Sequence, residues 1–227
     1  MALHSSNESI EKTNSCQELP TLNVLSIDMD WIMAPSIAAY NHFVRTNTGR
    51  SLDDVLKTYA PGITTKADME KFYQIMNLII NCSALGEKNT GWSYSHDDII
   101  NFLQLKEGQK IHLFNVDHHH DLGYEDNVNS PYYRVNCANW VSDLNRNNHL
   151  ASYCWVNNET SQDPDGEQIQ VLPEYLTSKD IYILKRIPFD KVFIATSPDW
   201  IPGDYHPLLW TATKTLSRLS DTLVDEN

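Results

Sequence analysis

Asp117-His118-His119-His120-Asp121 places three imidazoles between two carboxylates within five residues. In an extended backbone, alternate side chains point the same way, so Asp117, His119 and Asp121 share one side while His118 and His120 face elsewhere. One imidazole between two carboxylates is a nitrogen and oxygen donor set for Mn²⁺, Fe²⁺ or Zn²⁺, and scarce imidazole without thiolate leans towards manganese. The alternative is a solvent-exposed polar loop that takes up metal only adventitiously. Context favours a site, because the segment follows a hydrophobic strand pattern at 110–116 and other strand patterns also end in acids. Asp28 and Asp30 follow the run at 22–27, and Asp199 follows the run at 191–195.

These residues can meet only if the chain folds so that strand ends converge. The apolar, β-branched run at 22–27 and the strand patterns at 110–116, 150–156, 181–187 and 191–195 predict strands. Helical spacing predicts helices at 35–45, 51–59, 66–85, 136–145 and 208–223, and Ser95 is placed to cap one running through Leu103. A glycine-rich break is expected at 86–91, a loop around Asn127, Asn129 and Pro131, and a turn at 161–166. Strands alternating with helices imply a three-layer α/β/α domain with a mainly parallel sheet, in which ligands bind beyond the carboxyl ends of the strands. Residues 1–20 read as a flexible polar tail and 21–227 as a single catalytic domain.

The balance of 30 acidic against 17 basic residues, a net charge of −13, argues against nucleic acid and is compatible with a cationic substrate or bound divalent metal. Cys16, Cys82, Cys137 and Cys154 contain no Cys-x-x-Cys pair, which fits reduced thiols. Neither a signal-peptide pattern nor an apolar stretch of spanning length occurs, so the expectation is a cytoplasmic protein without a membrane partner.

Asp117, His119 and Asp121 match the strand-end pattern Asp-x-His-x-Asp, and through it the chain resembles the arginase or ureohydrolase superfamily. That family also uses a histidine at the start of a preceding helix, and His96 stands at a comparable place. A later family motif, Ser-x-Asp-x-Asp, is met by Ser197 and Asp199, but Ile201 stands where its second acid belongs. Asp204 is the nominated substitute, with a turn role after Gly203 as the alternative. The family's guanidinium-binding glutamate has no counterpart, and Asp28 and Asp30 are nominated to replace it, since a carboxylate can hold guanidinium bidentately. The alternative for Asp30 is an Asx turn and helix cap. No second-sphere histidine follows the motif, His149 being only a distant candidate. Ser26-Ile-Asp-Met-Asp-Trp31, Asn136-Cys-Ala-Asn-Trp140 and Ser197-Pro-Asp-Trp200 resemble a divergent branch that contains peptide arginases.

The resemblance implies an arginase-like hydrolase that converts arginine side chains of a ribosomal precursor peptide to ornithine with release of urea. It implies two Mn²⁺ held by His96, Asp117, His119, Asp121, Asp199 and Asp204, which activate water between them. Asp121 would also carry a proton from that water to the leaving amine. Other expectations remain open: deacetylation or another amide or amidine hydrolysis on a related fold, and metal-dependent peptide binding without catalysis.

Overall fold

The apolar run opening at Leu22 forms the central strand β1 (Leu22–Asp28), buried from Val24 onward, with a parallel strand hydrogen-bonded on each side. Burial on both faces explains why its sequence is nearly continuous rather than alternating. The computed structural model describes residues 19–34, 66–82, 85–123 and 133–221. The helices expected at 35–45 and 51–59, the loop around Asn127, Asn129 and Pro131, and residues 1–18 of the tail lie outside the described residues.

The strands that follow are β2 (Met33–Ala34), β3 (Lys66–Ala67), β4 (Thr90–Ser93), β5 (Ile111–Val116), β6 (Leu150–Val156), β7 (Tyr175–Ser178) and β8 (Lys191–Ala195). The α-helices are α1 (Met69–Asn81), α2 (Ile99–Leu103), α3 (Trp140–Arg146), α4 (Gly166–Gln170) and α5 (His206–Asp221). β2 and β3 pair antiparallel, while the other six strands form an all-parallel sheet in the order β4-β8-β1-β5-β6-β7. One face carries a core built with Phe72, Ile75 and Ile79 of α1 and Leu209, Ala212 and Leu216 of α5. The other face packs Ile99 and Leu103 of α2 with Trp140, Val141 and Leu144 of α3. β8 shows the division residue by residue: Val192 and Ile194 enter the first core, Phe193 and Ala195 the second. The architecture is the expected three-layer α/β/α.

This strand order positions the site. The chain leaves β1 for the edge strand β4, returns to β5 on the other side of β1, and later inserts β8 between β4 and β1. The topological switch therefore falls at β1, where an open parallel sheet leaves a crevice beyond its strand ends. Register aligns those ends, with Ser93 and Asp28 both opposite Ala195, and Ile27 opposite Val116.

Several local expectations are corrected. The run at 181–187 is not a strand: Ile181–Leu184 is a 3-10 turn opened by the Asp180 carboxylate, which accepts from the Tyr182 amide at 2.8 Å. Its buried residues, Ile181 and Leu184, are three apart, a helical spacing that β-branching had masked. The last outer strand is β7 instead, paired with β6. Strand β4 begins at the end of the region read as a glycine-rich break, and Gly91 belongs to it because a β-carbon there would meet the Phe102 ring at 2.6 Å. The helix expected from 66 begins only at Met69, after the Asp68 side chain caps the amides of Glu70 and Lys71. Ser95 makes no capping bond; it precedes a 3-10 turn, His96–Asp98, that leads into α2. The helix expected from 136 starts at Trp140, and the C-terminal one at His206.

Candidate metal centre

His96 enters the centre from the turn after β4, and Ser26, on the same face of β1 as Val24, meets it from below. Their contact, Ser26 Oγ to His96 Nε2, is 2.6 Å. It directs the other ring nitrogen at three carboxylates: Nδ1 lies 3.0 Å from Asp117, 3.1 Å from Asp121 and 3.4 Å from Asp28. All four residues are buried, and Nδ1 meets none of the three oxygens with hydrogen-bond geometry. One nitrogen carries at most one proton, so three acceptors around it cannot all be satisfied. Two donors each about 2.1 Å from one divalent cation, at right angles, stand about 3.0 Å apart, so these spacings suit ligands of a shared ion.

Asp117 belongs to two groups at once. Asp28, His96 and Asp117 bring ligand atoms within 4.8 Å of one another, and so do Asp30, Asp117 and His119. The carboxylate divides between them: Oδ2 faces His96 at 3.0 Å, while Oδ1 faces His119 Nδ1 at 3.8 Å. His119 Nδ1 is itself 3.0 Å from Asp30. Buried Asp and His side chains that could hold a metal ion thus sit at the ends of β1 and β5 and in the turn after β4.

Supporting contacts fix most of these groups. Ser197 Oγ donates to Asp28 at 2.6 Å, the Asp30 amide donates to Asp28 at 3.1 Å, and the His118 amide donates to Asp30 at 3.3 Å. Asn115 Nδ2 donates to Asp117 Oδ2 at 3.3 Å, the Trp155 indole donates to the Asp117 carbonyl at 3.1 Å, and the Trp140 indole donates to Asp121 at 2.6 Å. Such outer contacts orient the ligands, and hydrogen bonds donated to a carboxylate favour its charged form.

The electrostatics record how crowded the cluster is. Burial pushes the Asp117 carboxyl up to about 8, aided by the charges of Asp121 and Asp28. Burial and the neighbouring Asp28 charge push Asp30 up to about 7. For Asp28 burial acts upward too, but the proximity and charge of His96 outweigh it and hold the group below its usual value. Burial alone would lower His96, yet the close carboxylates of Asp117, Asp121 and Asp28 raise it well above an ordinary histidine. His119 follows the same pattern, raised to about 9 by Asp30 against the effect of burial. Burial and the His119 charge drive His118 down to about 3 and His120 to about 4, so both imidazoles are neutral.

Measured against the sequence, His96, Asp117 and His119 come together. Asp121 joins them through His96, but not by strand alternation: β5 ends at Val116, the His119 amide turns back onto Asp117 Oδ1 at 2.8 Å, and Asp121 has a left-handed φ of 52°. His118 and His120 are buried. Asp28 and Asp30, nominated as a separate guanidinium clamp, lie within the two groups, because β1 runs between β5 and β8 and delivers its acids at their level. The cap role weighed for Asp30 falls to Asp28, which opens the 3-10 turn Met29–Ile32. Asp199 and Asp204 are exposed and belong to neither group. Ser197 explains this: its φ of 42° turns the chain at the end of β8, aiming its own hydroxyl inward and carrying Asp199 onto an outer 3-10 turn. His149 sits at the other end of the sheet, before β6, with Nδ1 2.9 Å from the Gln109 carbonyl.

Ser26, Asn115, Trp140, Trp155 and Ser197 were not assigned roles from sequence. Ser26 and Asn115 left a signal there as buried polar residues near the ends of largely apolar strands, and Ser197 and Trp140 stood in motifs that carry the family resemblance. No protein-family model, curated protein or solved structure matches the chain.

Proposed function

We propose that the chain is a divalent-metal-dependent hydrolase, with two manganese ions at the cluster, that releases urea from arginine side chains of a precursor peptide and leaves ornithine. The observation that carries the metal-dependent part is Asp117, buried and shared by two ligand groups, one oxygen facing each. Four buried carboxylates, Asp28, Asp30, Asp117 and Asp121, outnumber the two imidazoles His96 and His119. Buried charge of one sign is costly by several kcal/mol per group unless cations compensate it. Asp28, His96 and Asp117 would hold one cation, and Asp30, Asp117 and His119 the other. Bound there, divalent cations supply Lewis-acid activation of water at neutral pH.

The chain's own residues then divide the remaining work. Asp121, its Oδ2 fixed by the Trp140 indole, accepts a proton from the attacking water and returns it to the departing nitrogen. Ser26 holds the His96 ring with Nδ1 towards the carboxylates. Trp200, half-buried with its ring 4.8 Å from that of His119, offers a wall on which a planar guanidinium can stack. With Asp28 and Asp30 engaged as ligands, stacking and the field of the chain's net charge of −13 replace the bidentate clamp expected from sequence. The preference for guanidine over amide rests on the arginase resemblance and on that field, which favours a cationic substrate.

The test is to incubate manganese-loaded protein with free arginine, arginine-containing peptides and acetyl-lysine peptides, measuring urea and the peptide mass. Urea with a matching arginine-to-ornithine mass shift is expected from peptides. Turnover of free arginine alone would refute the peptide assignment; acetate release from acetyl-lysine would replace guanidine hydrolysis with deacetylation. Metal uptake without any turnover would reduce the protein to metal-dependent binding.

A further inference from the structure

Beneath the acid cluster, one row of the sheet runs Phe193, Ser26, Asn115 and Trp155 across β8, β1, β5 and β6. Side chains in register on adjacent parallel strands share a face, and the strands lie about 4.8 Å apart, so Ser26 has Phe193 on one side and Asn115 on the other. Both polar members of the row are wholly buried. Polar groups sealed in this way need partners, and here each partner can be counted.

Asn115 Nδ2 donates at 3.3 Å to Asp117 Oδ2 and at 3.3 Å to the Tyr153 hydroxyl, which itself donates to the His120 carbonyl at 2.8 Å. A flipped amide would set an oxygen against the Asp117 carboxylate, which as a metal ligand can only accept, so the orientation of the amide is fixed. Oδ1 is left over: among the described residues it meets no donor. Ser26 Oγ bonds His96 Nε2 at 2.6 Å and, among the described residues, nothing else. When His96 Nδ1 gives its lone pair to a metal, the neutral ring carries its proton on Nε2, so Nε2 donates and Ser26 Oγ accepts. The Ser26 hydroxyl proton is then free of His96, and the polar side chain beside it in the row is Asn115.

We propose that Asn115 is a positioning residue of the metal centre, whose Oδ1 takes the Ser26 hydroxyl proton when the cation is bound and so commits Ser26 to accept from His96 Nε2. A hydroxyl by itself serves either tautomer of a histidine equally; an acceptor behind it selects the one with Nδ1 open to metal. The same amide holds Asp117 through Nδ2. One buried side chain thereby orients two ligands of one cation, Asp117 directly and His96 through Ser26. The proposal rests on the metal-dependent reading for the cation and goes beyond it in assigning what fixes the ring nitrogen that binds.

The test measures the Mn²⁺ affinity of the full chain, by competition with a chelator, in four forms: unaltered, Ser26→Ala, Asn115→Leu and the double variant. Each single substitution should weaken binding about ten- to a hundredfold. Adding Asn115→Leu to Ser26→Ala should weaken it by less than about threefold more, because no serine proton remains for Oδ1 and only the Nδ2 contact is lost. Equal factors in the two backgrounds, with all four forms folded by circular dichroism, would overturn the inference, since an asparagine that merely supports the fold does not couple to Ser26. A second measurement needs no variant. In unaltered protein loaded with diamagnetic Zn²⁺, nitrogen-15 NMR should place a proton on His96 Nε2. A bare Nε2 would overturn the inference, because Ser26 would then donate to His96 and have no proton for Asn115. Retention of neither ion by the unaltered protein would sink the metal-dependent reading and this inference with it; tight retention with equal factors would sink the inference alone.

Discussion

His96 Nδ1 concentrates the problem that the centre must solve, because three carboxylate oxygens converge on one nitrogen. Without metal, protons are the available cations, and the raised values of Asp30, about 7, and Asp117, about 8, describe proton retention by the folded chain. An unfolded aspartate loses its proton near pH 4, so from there to about pH 8 the folded state binds more protons and its stability falls as pH rises. His96 and His119 act in the same direction, since the stability given by their raised values is lost as pH climbs through them. The metal-free protein should therefore show a thermal midpoint that declines between pH 6 and 9, and added Mn²⁺ should remove most of the decline by replacing protons. Asp117→Asn should make the metal-free decline shallower and raise the midpoint at pH 8.5 by a few degrees, while abolishing the manganese effect. A midpoint unchanged by this substitution would contradict the crowding. At this scale His96, Asp117 and His119 were legible because their types and order carry the chemistry. The role of Asp28 and Asp30 was not, because whether a carboxylate lies inside a ligand group depends on strand register.

The elements position these groups mainly through their endings. β8 stops at Ala195, and the left-handed Ser197 sends its hydroxyl to Asp28 and Asp199 outward. A strand pattern in the sequence shows where the acids stand along the chain but not the sense of the turn that follows, so Asp199 and Asp204 read as ligands. The same limit applies beyond β5, where an Asx contact and the left-handed Asp121 replace the assumed alternation. The strands themselves were legible where apolar runs are central and buried, as in β1, β5, β6 and β8. β4 was hidden by its glycine, which is required by Phe102, and 181–187 was misread because its Ile-rich composition outweighs its three-residue burial spacing. Helix α3 contributes through its first residue, Trp140, whose ring lies 4.7 Å from that of His96 and whose indole fixes Asp121. Trp140→Phe keeps most of that packing and removes the donor, so turnover or manganese affinity should fall about ten- to a hundredfold with the fold intact. A loss under twofold would show that the indole does not orient Asp121 for function.

On the scale of the whole molecule, an all-parallel sheet covered on both faces brings acids from β1 and β5 and a histidine from beyond β4 to one crevice. That convergence was legible from the alternation of strands and helices together with acid-tipped strand ends; the strand order β4-β8-β1-β5 was not, since connections do not record which side of β1 each strand joins. No helix among the described residues is long and apolar enough to cross a membrane. The net charge of −13 surrounds the buried acids with a field that favours cations. The central claim is that the buried acids and histidines hold two divalent ions through a shared Asp117. Equilibrium dialysis of the full chain against Mn²⁺, followed by metal analysis, tests it most directly. The expected result is two ions per chain in the unaltered protein and in the Asp199→Ala/Asp204→Ala variant, and none tightly held in folded Asp117→Ala. Failure of the unaltered protein to retain manganese, or full retention after loss of Asp117, would contradict it.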